Sequence, residues 1–215
     1  MSAAGLTTNA GPISLTFDGP PTPDVLVVLA HGAGGDMRGE FMEFFASELS
    51  DEQIGVCRFN FAYSEQGRKS PDRQDVLKDT YRAVVDHVRT PNRKLVLGGK
   101  SMGGRIASHI VADDVECDGL VFLGYPLHPP GRPERIRDVH LANIRVPMLF
   151  VEGTRDPFCP LDTLEKVRAK LSTETEISVI DDGDHSFKVR KSSGRSTKDA
   201  WHEAVDAVRV WVSRR

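Results

Sequence analysis

The sequence predicts an α/β protein with a mostly parallel central sheet and helices on both faces. Short β-prone apolar runs alternate along the chain with segments whose apolar residues recur at helical spacing. The strongest run, Val25–Ala30, is continuously apolar, which is typical of a strand covered on both sides. Since ligands in such sheets bind beyond the carboxyl ends of the strands, the loops that follow strands are where we look for a site.

The first half of the chain is predicted to supply four strands and two helices. Residues 1–11 are expected to be a flexible tail, and residues 13–17 an edge strand. Three further strands are predicted at 25–30, 54–61 and 95–97. Helical stripes lie between them, one formed by Phe41, Phe44, Phe45 and Leu49 and one by Leu77, Tyr81, Val84, Val85 and Val88.

The second half continues the alternation. Strands are predicted at 119–124, 146–151 and 176–180, and helical stripes are formed by Leu161, Leu164, Val167 and Leu171 and by Trp201, Val205, Val208 and Val212. Asp162 and Glu165 are a possible capping pair. Residues 125–138 are proline-rich and irregular. Because only 125–145 are available between two strands, we expect no separate cap domain and a rather open site.

A five-residue pattern, Gly99-Lys100-Ser101-Met102-Gly103, stands between the strand at 95–97 and a helix. It fits the Gly-x-Ser-x-Gly nucleophile elbow, in which a strained turn projects the serine from the sheet edge. The helix is predicted from the stripe Gly103, Ile106, Ala107, Ile110 and Val111.

Two nucleotide-binding interpretations of these glycines fail. A phosphate-binding loop ending in Gly99-Lys100-Ser101 requires glycine at position 94, which is Lys94. A dinucleotide fingerprint beginning at Gly32 requires glycine at position 37, which is Met37.

Composition indicates an ordinary globular protein, predicted as one domain over residues 1–215. The net charge of −3 and 39% hydrophobic content give no reason to expect nucleic acid or membrane partners. Residues 1–11 lack the basic and apolar segments of a signal peptide. Cys57, Cys117 and Cys159 are odd in number and lack metal-ligand spacing, so we expect free thiols, a reducing cytoplasmic location and no metal or cofactor.

A serine nucleophile needs a base and a group that orients it. Of seven histidines, His185 is the best candidate base because it lies in a glycine-containing loop after the last strand. Asp156, just past another strand, is the expected orienting carboxylate, with Asp182 and Asp184 as rivals. The order Ser101, Asp156, His185 is that of the Gly-x-Ser-x-Gly enzymes.

Acyl transfer also needs donors for the developing oxyanion. The backbone amides of Met102, directly after the nucleophile, and Ala33, in a glycine-rich loop, are expected to supply them. His31 is expected to order that loop rather than to act as an acid or base.

Taken together, these residues resemble the α/β-hydrolase superfamily. The segments that carry the resemblance are His31-Gly-Ala-Gly-Gly, Gly99-Lys-Ser-Met-Gly-Gly-Arg, Gly124-Tyr-Pro-Leu-His-Pro-Pro-Gly, and Gly153-Thr-Arg-Asp-Pro-Phe with Gly183-Asp-His-Ser-Phe. They are similar to small bacterial hydrolases related to testis-expressed protein 30 and to subunit 3 of the NSL histone-acetyltransferase complex, which are distant neighbours of dienelactone hydrolases. Those last enzymes use a cysteine nucleophile where this chain has Ser101.

The resemblance implies a serine hydrolase that cleaves small-molecule carboxylic esters or thioesters through an acyl-serine intermediate, with no cofactor. A catalytically silent scaffold with the same fold and a small peptidase remain alternatives. Tyr125, His128 and Pro130 are expected to border the substrate. Five basic residues on or beside the active edge either favour an anionic acyl group or are solvated or ion-paired: Arg68, Lys69, Lys100, Arg105 and Arg155.

Overall fold

The computed structural model describes residues 2–215, which form one eight-stranded sheet. The strands are Ser2–Thr8 (β1), Gly11–Asp18 (β2), Val25–Ala30 (β3), Ile54–Phe59 (β4), Lys94–Lys100 (β5), Gly119–Leu123 (β6), Met148–Gly153 (β7) and Thr175–Ile180 (β8). Their spatial order is β1-β2-β4-β3-β5-β6-β7-β8. β1 pairs antiparallel with β2, and β2 pairs antiparallel with β4. The other six strands, β3 to β8, are parallel to one another. The predicted fold class is confirmed.

Six helices accompany the sheet. They are Glu40–Leu49 (α1), Ala62–Glu65 (α2), Gln74–Val88 (α3), Met102–Ala112 (α4), Leu161–Arg168 (α5) and Thr197–Val212 (α6). Short 3₁₀ segments occupy Val139–Asn143 and Lys191–Ser193. The short α2 lies where the sequence predicts only a polar loop, because one turn of helix leaves too little periodicity to detect.

Two hydrophobic cores lie on opposite faces of the sheet. One packs α3, α4 and α5 through residues such as Tyr81, Ile106 and Leu164. The other packs α1 and α6 through residues such as Phe45 and Trp201. Helices cover both faces of the sheet. Every residue of the six-residue strands β3, β4 and β7 is therefore buried, as their nearly continuous apolar sequences predict.

The prediction of a flexible tail is wrong for residues 2–8. Residues Ser2–Thr8 form β1, which pairs with residues 11–17 of β2, so the predicted edge strand is the second strand of the sheet. The small and polar side chains of β1 are mostly exposed and carry little apolar alternation. β1 is held in the sheet by pairing with the backbone N–H and C=O groups of β2. The periodicity of the sequence does not reveal such a backbone partner.

The predicted capping pair of α5 is also wrong. Pro160 occupies the N-cap of α5 and no side chain caps it, while the helix ends at Arg168, before Leu171. A complete capping box instead begins α6, where Ser196 accepts from the amide of Asp199 and the Asp199 carboxylate accepts from the amide of Ser196.

The loops that follow β3, β5, β6, β7 and β8 meet at one edge because parallel strands share the direction of their carboxyl ends. The connection from β6 to β7 contains only loop and one 3₁₀ segment, so no separate cap covers that edge. Within residues 2–215, no helix combines the length and apolar character that crossing a membrane requires.

Candidate active site

Ser101 occupies a strained turn between β5 and α4. Its backbone has φ 51° and ψ −114°, a conformation that few non-glycine residues adopt. The amide of Ser101 donates to the carbonyl oxygen of Leu123 at 3.0 Å, which ties the turn to β6. A Cβ on Gly103 would lie 2.3 Å from the carbonyl oxygen of Ala30, so glycine is what lets α4 start this close to β3.

The structure brings Ser101, His185 and Asp156 into one hydrogen-bonded line. His185 Nε2 lies 2.8 Å from Ser101 Oγ, and His185 Nδ1 lies 2.6 Å from Asp156 Oδ2. The other oxygen, Asp156 Oδ1, accepts from the amide of Phe158 at 2.8 Å, which fixes the plane of the carboxylate. A carboxylate at Nδ1 favours the tautomer with hydrogen on Nδ1, leaving Nε2 to accept the serine proton.

The two rival aspartates are engaged elsewhere. Asp182 accepts from Arg190 and forms an ion pair with Arg155. Asp184 Oδ1 accepts from the amides of Ser186 and Lys188, which shapes the loop around His185. Of the three expected candidates, Asp156 is therefore the one that contacts the imidazole.

The loop after β3 lies directly against Ser101. A Cβ on Gly32 would be 3.6 Å from the Cβ of Ser101, and Ala33 and Met102 both line the cavity above the serine. Met102 is the first residue of α4, so its amide has no acceptor within the helix.

His31 orders this loop, as expected. Its buried ring accepts from the amide of Phe61 at Nε2 and contacts the Gly32 carbonyl oxygen at 2.8 Å through Nδ1. Burial lowers the pKa of His31, which favours the neutral ring that this pair of contacts requires.

An open cavity of about 460 Å³ lies over the serine. Its lining includes His185, Phe158, Pro126, His128 and Pro130. His128 and Pro130 thus border the cavity, as expected.

The expected substrate contact of Tyr125 is wrong. This side chain is fully buried, and its hydroxyl lies 3.1 Å from Ser108 Oγ and 3.2 Å from His140 Nε2. It packs in the core against Phe122 and Phe150, with ring centroids 4.9 and 5.4 Å away.

The five basic residues of the active edge separate into two groups. Lys100 and Arg105 line the cavity. Arg155 instead donates to the carbonyl oxygens of Asp182 and Lys188, and Arg68 pairs with Asp72. Lys69 is exposed outside the lining.

A buried carboxyl group lies close behind Asp156. Glu152, at the end of β7, is fully buried and accepts from the amide of Tyr125 through Oε1, whereas Oε2 has no partner among the described residues. Burial, followed by the negative charge of Asp156, raises the pKa of Glu152 well above its ordinary value. Burial lowers the pKa of nearby Lys100 to about 8. The negative charges of Asp156 and Glu152 act in the other direction and raise this pKa, but by less than burial lowers it.

Sequence reasoning missed Glu152, Phe158 and Arg137. A charged residue inside the apolar run of β7 is a signal that could have marked Glu152. Phe158 packs edge-to-face on His185, with ring centroids 4.7 Å apart, and it lies two residues after Asp156 in a segment already singled out. Nothing local distinguishes Arg137, which reaches the cavity from the irregular loop after β6.

No cluster of three or more His, Cys, Asp or Glu side chains suited to a metal ion occurs within residues 2–215. Cys57, Cys117 and Cys159 are free thiols.

Comparison with solved structures agrees with the fold. A serine hydrolase without a lid from Xanthomonas campestris superposes with a TM-score of 0.76 at 24% identity, covering 98% of this chain and 94% of the other. A dienelactone hydrolase from Anabaena variabilis gives 0.73 at 17% identity, covering 95% and 94%. At these identities the likeness shows the fold alone.

Sequence comparison gives the family. The uncharacterized protein YfhR of Salmonella typhimurium is 25% identical over 203 residues, covering 80% of this chain and 68% of YfhR. A model of the alpha/beta hydrolase domain matches residues 23–213. The expected resemblance to the α/β-hydrolase superfamily is confirmed, and the chain belongs to the alpha/beta hydrolase family.

Proposed function

We propose that this protein is a serine hydrolase that cleaves carboxylic ester or thioester bonds of small molecules through an acyl-Ser101 intermediate. The observation that carries the proposal is the line of contacts from Ser101 Oγ through His185 to Asp156, at 2.8 and 2.6 Å. Both contacts are within the reach required of a nucleophile, its base and the group that orients the base.

In the acylation step, Ser101 Oγ attacks the substrate carbonyl carbon while His185 Nε2 takes the hydroxyl proton. Asp156 stabilises the imidazolium that forms and keeps its Nδ1–H directed at Oδ2. His185 then gives the proton to the departing alcohol or thiol, which leaves the acyl group on Ser101.

The tetrahedral intermediate places negative charge on the former carbonyl oxygen. The amides of Ala33 and Met102 are the proposed donors to that oxygen, since both residues line the cavity beside Ser101. Each such donor typically contributes about 10²–10³ in rate. The amino end of α4 adds a favourable dipole at the same place.

In the deacylation step, water attacks the acyl carbon and His185 again acts as the base. The open cavity and the absence of a covering cap domain suit entry of water and of small-molecule substrates. His185 then returns the proton to Ser101 Oγ as the bond between Oγ and the acyl carbon breaks, so the carboxylic acid leaves and the serine is regenerated.

A fluorophosphonate labelling experiment tests the proposal. Mass spectrometry should find the adduct on Ser101, and Ser101→Ala should abolish it. Ser186→Ala is the matched control, because Ser186 lines the same cavity without a hydrogen bond from its hydroxyl to His185 within the described chain. A scaffold protein would give no adduct at Ser101.

A panel of 4-nitrophenyl esters of increasing chain length supplies the activity measurement. Ser101→Ala should lower kcat by at least about 10⁴, by analogy with the loss of a triad serine in other hydrolases. Turnover that survives this substitution on a good ester would refute the assignment.

A further inference from the structure

We propose that the substrate carries, besides its ester or thioester bond, an anionic oxygen group, a carboxylate or a phosphate, that Arg105 and Arg137 bind together. This inference rests on the proposed function and identifies the class of substrate for the same site. The observation behind it is that two guanidinium groups line the cavity of Ser101 and neither has a carboxylate partner in residues 2–215.

Arg105 is held in place by neutral groups. It lies one helical turn after Ser101, and its amide donates to the Ser101 carbonyl oxygen at 3.1 Å. Its Nη1 lies 3.1 Å from Gln74 Oε1 and 3.0 Å from His109 Nε2. Its Nε and Nη2 make no hydrogen bond to the described part of the chain, so these donors remain available for a ligand.

Arg137 reaches the same cavity from the loop between β6 and β7. Its amide donates to the carbonyl oxygen of Leu127 at 2.7 Å, which fixes the loop after β6 at this point. No hydrogen bond from its guanidinium to residues 2–215 is present, although the side chain is only half-exposed.

Arg105 and Arg137 line the cavity together, and both also line a second pocket formed with Gln74, His109 and His140. Burial lowers the pKa of Arg105, and the positive charge of Arg137 lowers it further. Such an arrangement is costly in the free protein, because two like charges are partly removed from water without a counterion. An anion between them would offset that cost.

The charge of the cavity wall points to the same class of ligand. Lys100, Arg105 and Arg137 line the cavity, whereas no aspartate or glutamate does so. Asp156 is 4% exposed and lies behind His185. By contrast, the fully buried guanidinium of Arg58 is paired with Asp18, so this fold neutralises buried arginine where no ligand is needed.

Arginine suits this role because its planar donors match carboxylate and phosphate oxygens in pairs. Lys100 is already engaged in part, since its ammonium donates to the carbonyl oxygen of His185, so the proposal assigns the anion to the two guanidiniums. A carboxylate-bearing substrate would therefore be a half ester or thioester of a dicarboxylic acid, or an ester whose alcohol carries the acid.

The test compares matched ester pairs that differ only in this charge. 4-Nitrophenyl hydrogen glutarate is compared with its neutral methyl ester, followed by release of nitrophenol. 4-Carboxyphenyl acetate is compared with 4-(methoxycarbonyl)phenyl acetate, followed by release of the phenol. We measure the ratio of kcat/KM for the anionic and the neutral member of each pair.

The wild-type ratio should favour the anion in at least one pair. Arg105→Gln and Arg137→Gln should each lower that ratio by about tenfold to 100-fold, the range expected for one charged hydrogen-bonding partner. Arg132→Gln is the control, because Arg132 is exposed in the same loop and outside the cavity, and the ratio should not change. Arg105→Lys should retain part of the preference if charge is what matters.

A binding measurement distinguishes the two anions and does not depend on turnover. Calorimetric titration of Ser101→Ala with monomethyl glutarate, phenyl phosphate and dimethyl glutarate should show tighter binding of one anion than of the neutral diester. Adding Arg105→Gln should remove the difference.

The outcomes separate the two proposals. Turnover of every ester with equal ratios in wild type and variants, together with equal binding of anions and diester, overturns the anion site and leaves the hydrolase intact. No turnover of any ester and no label on Ser101 overturns the proposed function instead.

Discussion

Lys100 and His185 are joined directly, because the ammonium of Lys100 donates to the main-chain carbonyl oxygen of His185. The residue before Ser101 thus holds the loop that carries the imidazole of His185. Since Ser101 and His185 are 84 positions apart in sequence, this bond helps to define their 2.8 Å contact in space.

Lys100→Met should therefore lower activity more than stability. It removes the hydrogen bond to His185 but also removes a buried charge, so the two effects on unfolding partly cancel. We expect kcat for a neutral 4-nitrophenyl ester to fall by about tenfold, which corresponds to the loss of about one hydrogen bond. Lys69→Met, on the exposed surface, is the control. An unchanged kcat in Lys100→Met would contradict this role.

Gly124→Ala should damage both stability and activity. Gly124 has φ 67°, and a Cβ there would lie 2.8 Å from the carbonyl oxygen of His185. Gly131→Ala is a matched control, since its φ is 68° but a Cβ would meet nothing within 4 Å. The control should lose only about 1–2 kcal/mol from the left-handed backbone. Thermal unfolding and kcat are measured for both variants. Equal losses in Gly124→Ala and Gly131→Ala would argue against a steric clash between the Cβ at position 124 and the His185 carbonyl oxygen.

Tyr125→Phe should reduce stability without changing substrate binding. The hydroxyl of this buried residue contacts Ser108 and His140, and its loss should cost about 1 kcal/mol of unfolding free energy. Because Tyr125 lies outside the cavity lining, KM should stay the same. His128→Ala, which alters the lining, should change KM. A raised KM in Tyr125→Phe would mean that the tyrosine reaches substrate after all.

Glu152→Gln should gain stability relative to wild type as the pH rises. Burial and the charge of Asp156 raise the pKa of Glu152 well above its ordinary value of 4.5. The folded protein therefore holds this proton more tightly than the unfolded chain. Above pH 4.5 the unfolded state loses the proton first, so the contribution of Glu152 to stability declines with rising pH.

Urea unfolding at a series of pH values from 4.5 upward measures this effect. The free energy of unfolding of Glu152→Gln minus that of wild type should increase along the series. Glutamine cannot titrate, and its amide oxygen can still accept from the Tyr125 amide. A difference that stays constant or falls with pH would show that the Glu152 pKa is not raised.

Most of the strands and long helices followed from the sequence because burial on two faces imposes continuous apolar runs on strands and regular stripes on helices. β3 and α3 are predicted in this way. β1 is different, since its position depends on backbone pairing with β2, and no apolar pattern records that dependence.

The sequence by itself determined the elbow at Ser101 and singled out Asp156 and His185, because a reactive serine requires a base, an orienting carboxylate and a place at strand ends. Only the tertiary structure decided that Asp156 rather than Asp182 or Asp184 contacts the imidazole, that Tyr125 is buried in the core, and that Arg137 joins Arg105 in the cavity lining. The physical reason is that loop side chains have no periodic signature, so their directions are fixed by contacts with residues distant in the chain.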